Sequence, residues 1–173
     1  MPGDRFAILF VCHANICRSP MAERLARRTL GADVSSAGTH AWHGAEMHEY
    51  TRQILAERGA GTTPHASRPL VPELLAAADL VLTMSRNQRA AAVTLLPAAA
   101  RRTFTLRQFG RLAAATGPGG GDLRGLLDRV RGVREQPVGP EHDELVDPVS
   151  GPVEGFRACA DEIQRVLDVI ARA

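Results

Sequence analysis

Short apolar runs alternate with longer segments of helical spacing along the chain. Residues 6–11 (FAILFV) and 78–84 (ADLVLTM) are apolar runs that predict buried strands, and 33–37 and 103–105 predict two shorter strands. Apolar residues recurring every three or four positions predict helices at 19–30, 47–58, 87–96, 106–115, 122–134 and 156–171.

This alternation predicts an α/β fold: a three-layer sandwich in which a four-stranded parallel sheet is flanked by helices. Ligands of such sheets bind beyond the carboxyl ends of the strands. The first predicted strand ends at Val11, so the loop at 12–18 stands where a ligand is expected. The Ser19-Pro20 pair suits the start of the next helix, with serine as its cap and proline in its first turn.

The length of 173 residues predicts a single domain over 1–173. The stretch GPGGG at 117–121, followed by a loop at 136–151 rich in proline, glycine and acids, predicts a flexible insertion at 117–140. Two roles for this insertion stay open: a helix and lid over the binding cleft, or an insertion without consequence.

Composition narrows the class of protein. Hydrophobic residues make up 45% and charged residues 23% of the chain, which is typical of a globular protein. There is no apolar run of about 18 residues, no secretory signal pattern and no disulfide framework, so we expect a cytoplasmic protein without a membrane partner. The net charge of +2 is too small to indicate nucleic-acid binding, and nothing indicates the oligomeric state.

The loop CHANICR at 12–18 combines a thiol with an anion site. Its amides and the following helix N-terminus converge on one point, and the Arg18 guanidinium can bind two oxygens of a phosphate. This field favours the thiolate form of Cys12, which makes Cys12 a candidate nucleophile. A zinc site would need further Cys or His pairs, and the remaining cysteine, Cys159, stands in the last predicted helix, so we expect no metal.

Five segments resemble one known family. VCHANICRSPMAE resembles the active-site loop of bacterial low-molecular-weight protein tyrosine phosphatases, and SAGT at 36–39, HASRPL at 65–70, DLVLTM at 79–84 and VDP at 146–148 resemble further segments of that family. The resemblance implies a metal-independent, cofactor-free hydrolase. It would cleave phosphomonoesters, most simply phosphotyrosine in proteins, through a phosphocysteine intermediate.

The same resemblance assigns roles to individual residues. Cys12 would attack phosphorus, Arg18 would bind the phosphoryl oxygens, and Asp147 would protonate the leaving group and then activate water. Ser19 would stabilise the thiolate, Asn15 would hold the loop, and Cys17 would form a reversible protective disulfide with Cys12. The predicted phosphate-binding and supporting residues are His13, Ala14, Asn15, Ile16, Cys17 and Ser19. The predicted substrate rim comprises His13, Trp42 and Val149.

Three positions depart from the family pattern. Ala14 replaces a glycine, which costs about 1 kcal/mol if the backbone needs a positive φ there and nothing otherwise. Val149 stands where an aromatic residue usually follows Asp-Pro, so one wall of the slot for a phenyl ring is absent. Ser85 replaces an acid.

Several alternatives remain open from sequence. Asp143 is the second candidate for the general acid. A phosphorylated metabolite could replace phosphotyrosine as substrate, since the departure at Val149 affects recognition. A thiol-linked arsenate reductase would need resolving cysteines, and a non-catalytic oxyanion-binding module would need neither Cys12 nor Asp147. His40, His43 and His48 lack a zinc spacing and are predicted at the surface.

Overall fold

The computed structural model describes residues 5–61, 63–120, 122–133 and 136–173. The strands are β1 (Ala7–Cys12), β2 (Asp33–Gly38), β3 (Leu80–Thr83) and β4 (Thr103–Thr105). The helices are α1 (Arg18–Thr29), α2 (Glu49–Glu57), α3 (Pro72–Ala77), α4 (Arg86–Leu95), α5 (Leu106–Thr116), α6 (Leu123–Gly132) and α7 (Val153–Arg172). Short 3₁₀ turns lie at Pro97–Arg102 and Pro140–His142.

The four strands form one parallel sheet in the order β2-β1-β3-β4. This arrangement confirms the predicted fold class. All four strands run the same way, so their carboxyl ends share one edge, and the loop after the central strand β1 opens at that edge. Cys12 is the last residue of β1 and pairs with Gly38 at the end of β2.

The alternation of side chains along β1 divides the core into two layers. Ile8 and Phe10 lie on the face that packs with α1, α5 and α7, whereas Leu9 and Val11 lie on the face covered by α3 and α4. All four of these side chains are buried. A strand buried on both faces is continuously apolar, which explains why 6–11 is an apolar run without polar alternation.

Some boundaries differ from those predicted. Helix α1 begins at Arg18 with Cys17 as its N-cap, so Ser19 is not the cap. Its hydroxyl instead lies 3.0 Å from the sulfur of Cys12. Helix α3 and the turn at Pro97–Arg102 were not predicted, because each has only six residues and shows too few apolar repeats to stand out.

Helix α6 occupies the middle of the predicted insertion. Asp122 caps it by accepting from the amides of Arg124 and Gly125 at 3.0 and 3.1 Å. Arg124 also pairs with Asp79, which accepts from the amide of Ala7 at the start of β1. The helix therefore lies toward the amino ends of the strands, on the side away from the loop at 12–18.

Three side chains of α6, Leu126, Leu127 and Val130, are buried in the core. The predicted last residue of this helix, Arg134, lies outside the described residues. A single domain over 1–173 and flexibility of the remainder of 117–140 stay predictions. None of the helices that the structure describes is long and apolar enough to cross a membrane.

Candidate active site

The backbone of the loop at 12–18 is shaped by Asn15. With a φ of 57°, it is the one non-glycine residue of the described chain in the left-handed region, which Asn tolerates better than most residues. Its side-chain amide donates to the hydroxyls of Ser19 and Ser36, both at 2.9 Å, and its carbonyl oxygen accepts from the amide of Arg68 at 3.0 Å. These three bonds hold the loop against α1, β2 and the segment after residue 64.

Ala14 therefore causes no backbone strain, since positive φ falls on Asn15 and not on Ala14. Glycine is instead needed at Gly38. A Cβ atom there would stand 2.5 Å from the carbonyl oxygen of His13 and 2.9 Å from the amide nitrogen of Asn15. The absence of a side chain at Gly38 lets the end of β2 lie directly against the loop.

Cys12 lies at the base of this loop and is buried, with 3% of its surface exposed. Asn15 donates to the Ser19 oxygen, which leaves the Ser19 proton for an acceptor. Two acceptors are within reach, the Cys12 sulfur at 3.0 Å and the Ala37 carbonyl at 3.3 Å. Ser19 can therefore donate to Cys12 whenever Cys12 is a thiolate.

Arg18 connects the loop to the segment before α7. Its Nη1 donates to the carbonyl oxygen of Leu145 at 3.0 Å, and its Nη2 donates to Oδ2 of Asp147 at 2.5 Å. The guanidinium is nearly buried, whereas the Asp147 side chain is 39% exposed. The other oxygen of Asp147 accepts from the amide of Val149 at 3.2 Å. Residues 129 positions apart in sequence thus meet at the loop.

Asp143, the second candidate for the general acid, forms ion pairs with two other arginines instead of Arg18. Its side chain is 4% exposed, and its two oxygens accept from Arg86 Nε and Arg111 Nη2, both at 2.6 Å. Burial alone would raise the pKa of Asp143, but the bonds from Arg111 and Arg86 outweigh it and hold the pKa below its ordinary value. A buried carboxylate with both oxygens bound by arginines has no access to a leaving group, whereas the side chain of Asp147 is 39% exposed at the loop, so Asp147 is the better candidate.

The other two cysteines are buried thiols. Burial raises the pKa of Cys17 to about 12 and that of Cys159 to about 12. All three cysteines are free, and a reversible bond between Cys12 and Cys17 stays a prediction. Among the described residues, no group of three His, Cys, Asp or Glu side chains is placed to hold a metal ion.

The predicted rim residues are accessible. Trp42 is 83% and Val149 42% exposed, and the exposed ring of His13 stacks on that of His40 with centroids 4.4 Å apart. His40 and His43 are at the surface as predicted.

The prediction for His48 is wrong. Its ring is half-buried, stacks on Phe156 at 4.7 Å and caps α2 by accepting from the amide of Tyr50. A histidine just before a predicted helix can serve as such a cap, and this signal was available in the sequence.

Three supporting residues received no role from the sequence: Ser36, His65 and Arg68. His65 Nε2 donates to the carbonyl of Asn15 at 2.7 Å, and Arg68 Nε donates to the carbonyl of Ser36 at 2.9 Å. Ser36 also donates to Glu23 of α1 at 2.6 Å. All three lie in the segments SAGT and HASRPL, and the resemblance of these two segments to the family was the available signal.

Known proteins resemble this chain closely. The sequence profile of the family described as low molecular weight phosphotyrosine protein phosphatase matches residues 7–116. A protein-arginine-phosphatase of Geobacillus stearothermophilus is 32% identical over 168 residues, which are 96% of this chain and 94% of that protein. A low molecular weight protein-tyrosine-phosphatase of Acinetobacter johnsonii is 39% identical over 100 residues, which are 57% of this chain and 70% of that protein.

Similarity extends to solved structures. The structure of an arginine phosphatase from Geobacillus stearothermophilus superposes with a TM-score of 0.74 at 32% identity, over 96% of this chain and 90% of that one. The likeness therefore continues well beyond residue 116, into the part of the chain that carries Asp147.

Proposed function

The chain belongs to the low molecular weight phosphotyrosine protein phosphatase family, and we propose that it hydrolyses phosphotyrosine in proteins with Cys12, Arg18 and Asp147 as its catalytic residues. Members of this family are cysteine-dependent phosphatases that need no metal, and this chain is such an enzyme. The observation that carries the assignment of residues is the contact of Asp147 with Arg18, which ends the same loop that carries the buried sulfur of Cys12.

In the first step the Cys12 thiolate attacks phosphorus, so that a sulfur–phosphorus bond forms while the bond to the tyrosine oxygen breaks. Asp147 gives its proton to that oxygen, which leaves as a neutral phenol. In the second step Asp147 takes a proton from water, the water oxygen attacks phosphorus, and the sulfur–phosphorus bond breaks to release phosphate. Ser19 stabilises the thiolate as it leaves, because its hydroxyl already faces the sulfur.

Arg18 exchanges partners during this cycle. Its Nη2 donates to Asp147, while its Nη1 donates to the carbonyl of Leu145. A phosphoryl dianion offers a stronger partner for Nη2, so its arrival releases the carboxyl group of Asp147 from Arg18 and lets it turn toward the leaving atom. The bond to Leu145 keeps the guanidinium oriented meanwhile.

The depth of the site favours a long substrate side chain. Cys12 is buried at the base of the loop, whereas Trp42 and His13, the predicted rim residues, are exposed. Phosphotyrosine is long enough to bring its phosphorus to the sulfur while its backbone stays outside. Trp42 and the stacked ring of His13 offer flat surfaces for its phenyl ring, which offsets the lack of an aromatic residue at Val149.

Phosphoarginine is the second candidate substrate. The observation that favours it is the likeness to a protein-arginine-phosphatase over 96% of this chain, where the likeness to the tyrosine phosphatase spans 57%. Phosphoarginine is also long, and Asp147 could protonate its leaving nitrogen as readily as a phenolic oxygen.

The remaining alternatives have less support. An arsenate reductase would relay a disulfide through a second reactive thiol, but burial raises the pKa of both Cys17 and Cys159 to about 12. A non-catalytic module would gain nothing from an acid held beside the anion site. We also infer a cytoplasmic location, which the three free thiols support.

The test is a panel of matched substrates in EDTA: one peptide carrying phosphotyrosine or phosphoarginine at the same position, and a sugar phosphate. We expect kcat/KM to be highest for phosphotyrosine and to fall at least about 1000-fold in Cys12→Ser. A preference for phosphoarginine would establish the second candidate, and a preference for the sugar phosphate would favour a metabolite. Equal rates for wild type and Cys12→Ser would contradict cysteine catalysis.

A further inference from the structure

The segment that leads to Asp147 is bound by three arginines that lie outside the loop at 12–18. Arg86 is the first residue of α4, and Arg107 and Arg111 lie on α5. All three side chains reach the segment at 138–144. We call Arg86, Arg107, Arg111 and Asp143 the arginine clasp.

Asp143 is the centre of the clasp. Its carboxylate accepts from Arg86 and Arg111 at 2.6 Å each, so one buried charge joins two helices to the segment. A bond between full charges of this length is among the strong ones in proteins. Glu162 of α7 pairs with Arg107 at 2.9 Å and so offsets the positive charge of this third arginine.

The same arginines also bind the main chain of the segment. Arg86 donates to the carbonyl of Val138 at 3.0 Å, and Arg111 donates to that of His142 at 2.8 Å. Arg107 donates to the carbonyls of Glu141 and Glu144 at 2.9 and 2.8 Å. A segment of irregular backbone is thus fixed at four carbonyl groups by helices of the core.

The clasp ends where the active site begins. The amide of Leu145 donates to the carbonyl of Met84 at 2.9 Å, and the carbonyl of Leu145 accepts from Arg18. Asp147 follows two residues later. Its side chain is half exposed, and the hydrogen bonds that hold it within the described part of the chain come from Arg18 and from the amide of Val149. Once a substrate takes Arg18, the place of Asp147 depends on the backbone that carries it.

We propose that Asp143 is a positioning residue for the reaction: by holding Arg86 and Arg111 on the segment at 138–144, it sets where the carboxyl group of Asp147 meets the leaving atom of the substrate. This inference rests on the proposed function, because it takes Asp147 as the proton donor. A donor that is displaced by about 1 Å loses much of its effect.

The proposal predicts a loss that depends on the leaving group. Phenyl phosphate releases a phenolate that needs a proton, whereas 2,4-dinitrophenyl phosphate releases an anion that is stable without one. Loss of proton donation therefore slows the first substrate and spares the second. A change that merely loosens the fold would slow both.

The experiment compares Asp143→Asn with wild type on these two substrates. We expect kcat/KM to fall by about tenfold or more for phenyl phosphate and by less than about threefold for 2,4-dinitrophenyl phosphate. The matched control is Asp128→Asn on α6, which makes the same change in an aspartate paired with Arg131 and should leave both rates unchanged.

A double variant tests whether Asp143 acts through Asp147. Asp147→Asn should show the same selective loss, and adding Asp143→Asn to it should cost little more on phenyl phosphate. Equal losses on both substrates, or losses that multiply in the double variant, would overturn the proposal. If the wild type hydrolysed neither substrate, the proposed function itself would fail.

A second variant covers the case in which Asp143→Asn does not fold, as judged by circular dichroism and thermal unfolding. Arg86→Gln removes one of the two bonds to Asp143 from a half-exposed side chain. It should produce a smaller loss with the same selectivity for phenyl phosphate, and an equal loss on the two substrates would overturn the proposal.

Discussion

Asn15 and Gly38 together determine the shape of the loop at 12–18. Asn15 takes the left-handed conformation, and Gly38 leaves room for the loop beside β2. Neither requirement can be found from the hydrophobic pattern, since both arise from contacts between segments that are distant in sequence. The strain considered for Ala14 is absent because the positive φ falls one residue later.

Gly38→Ala should distort the loop. The added Cβ would meet the backbone of His13 and Asn15 at 2.5 and 2.9 Å, and backbone cannot give way as a flexible side chain can. We expect destabilisation of about 1–3 kcal/mol by urea unfolding and a clear fall in kcat/KM. Gly132→Ala is the control, because among the described residues its added Cβ meets no atom within 4 Å beyond its chain neighbours and its own helix backbone. Similar effects of both substitutions would contradict this account.

The three cysteines should differ in reactivity. All are buried, but burial raises the pKa of Cys17 and of Cys159 to about 12, so both stay protonated at neutral pH. Cys12 lies 3.0 Å from the Ser19 hydroxyl and is the proposed nucleophile of the site. We expect iodoacetate at pH 7 to modify Cys12 first and inorganic phosphate to slow this reaction, as measured by peptide mass spectrometry. Faster labelling of Cys17 than of Cys12 would contradict this prediction.

At the scale of elements, the sequence indicated the four strands that the structure describes and each of its α-helices except α3, but not what holds the segment at 138–147. The strands at 6–11 and 78–84 are recognisable because a central parallel strand is apolar on both faces. The arginine clasp gave no such signal. The chain has 21 basic residues, all arginine, and nothing local distinguishes Arg86, Arg107 and Arg111 from those at the surface.

The clasp should make stability depend on pH. Arg111 and Arg86 hold the pKa of Asp143 below its ordinary value of about 3.9, so the folded state binds this proton less readily than the unfolded chain. The charged Asp143 therefore makes its whole contribution to stability at pH values well above 4. This contribution is lost as the pH falls through the lowered pKa of Asp143 in the folded state. Asp143→Asn removes this dependence.

We expect Asp143→Asn to lower the free energy of unfolding by about 1–3 kcal/mol at pH 7 and by less at pH 3. Urea unfolding of both proteins at the two pH values measures the difference. Asp128→Asn, in an exposed pair, should cost at most about 1 kcal/mol at either pH. If Asp143→Asn lowered the free energy of unfolding by the same amount at pH 3 as at pH 7, the proposed stabilisation by the charged Asp143 would be contradicted.

For the whole molecule, the order of strands and helices predicted the fold class and the position of the ligand loop. This succeeded because parallel strands place their carboxyl ends on one edge. The assembly of the site could not be predicted from pattern alone. Arg18 and Asp147 lie 129 positions apart, and only the resemblance to a family suggested that they meet. The pattern also did not indicate that helix α6 lies toward the amino ends of the strands, because its contact with that end runs from Arg124 to Asp79, 45 positions away in sequence.

The central claim is that Cys12 carries the phosphoryl group and that Asp147 serves both steps. Asp147→Asn with 2,4-dinitrophenyl phosphate tests it most directly, since the first step then needs no acid while the second lacks its base. We predict a rapid release of one equivalent of dinitrophenol, slow turnover afterwards, and a phosphoryl group on the peptide containing Cys12 by mass spectrometry after acid quenching. Release without a burst, or phosphate on any other residue, would contradict the account.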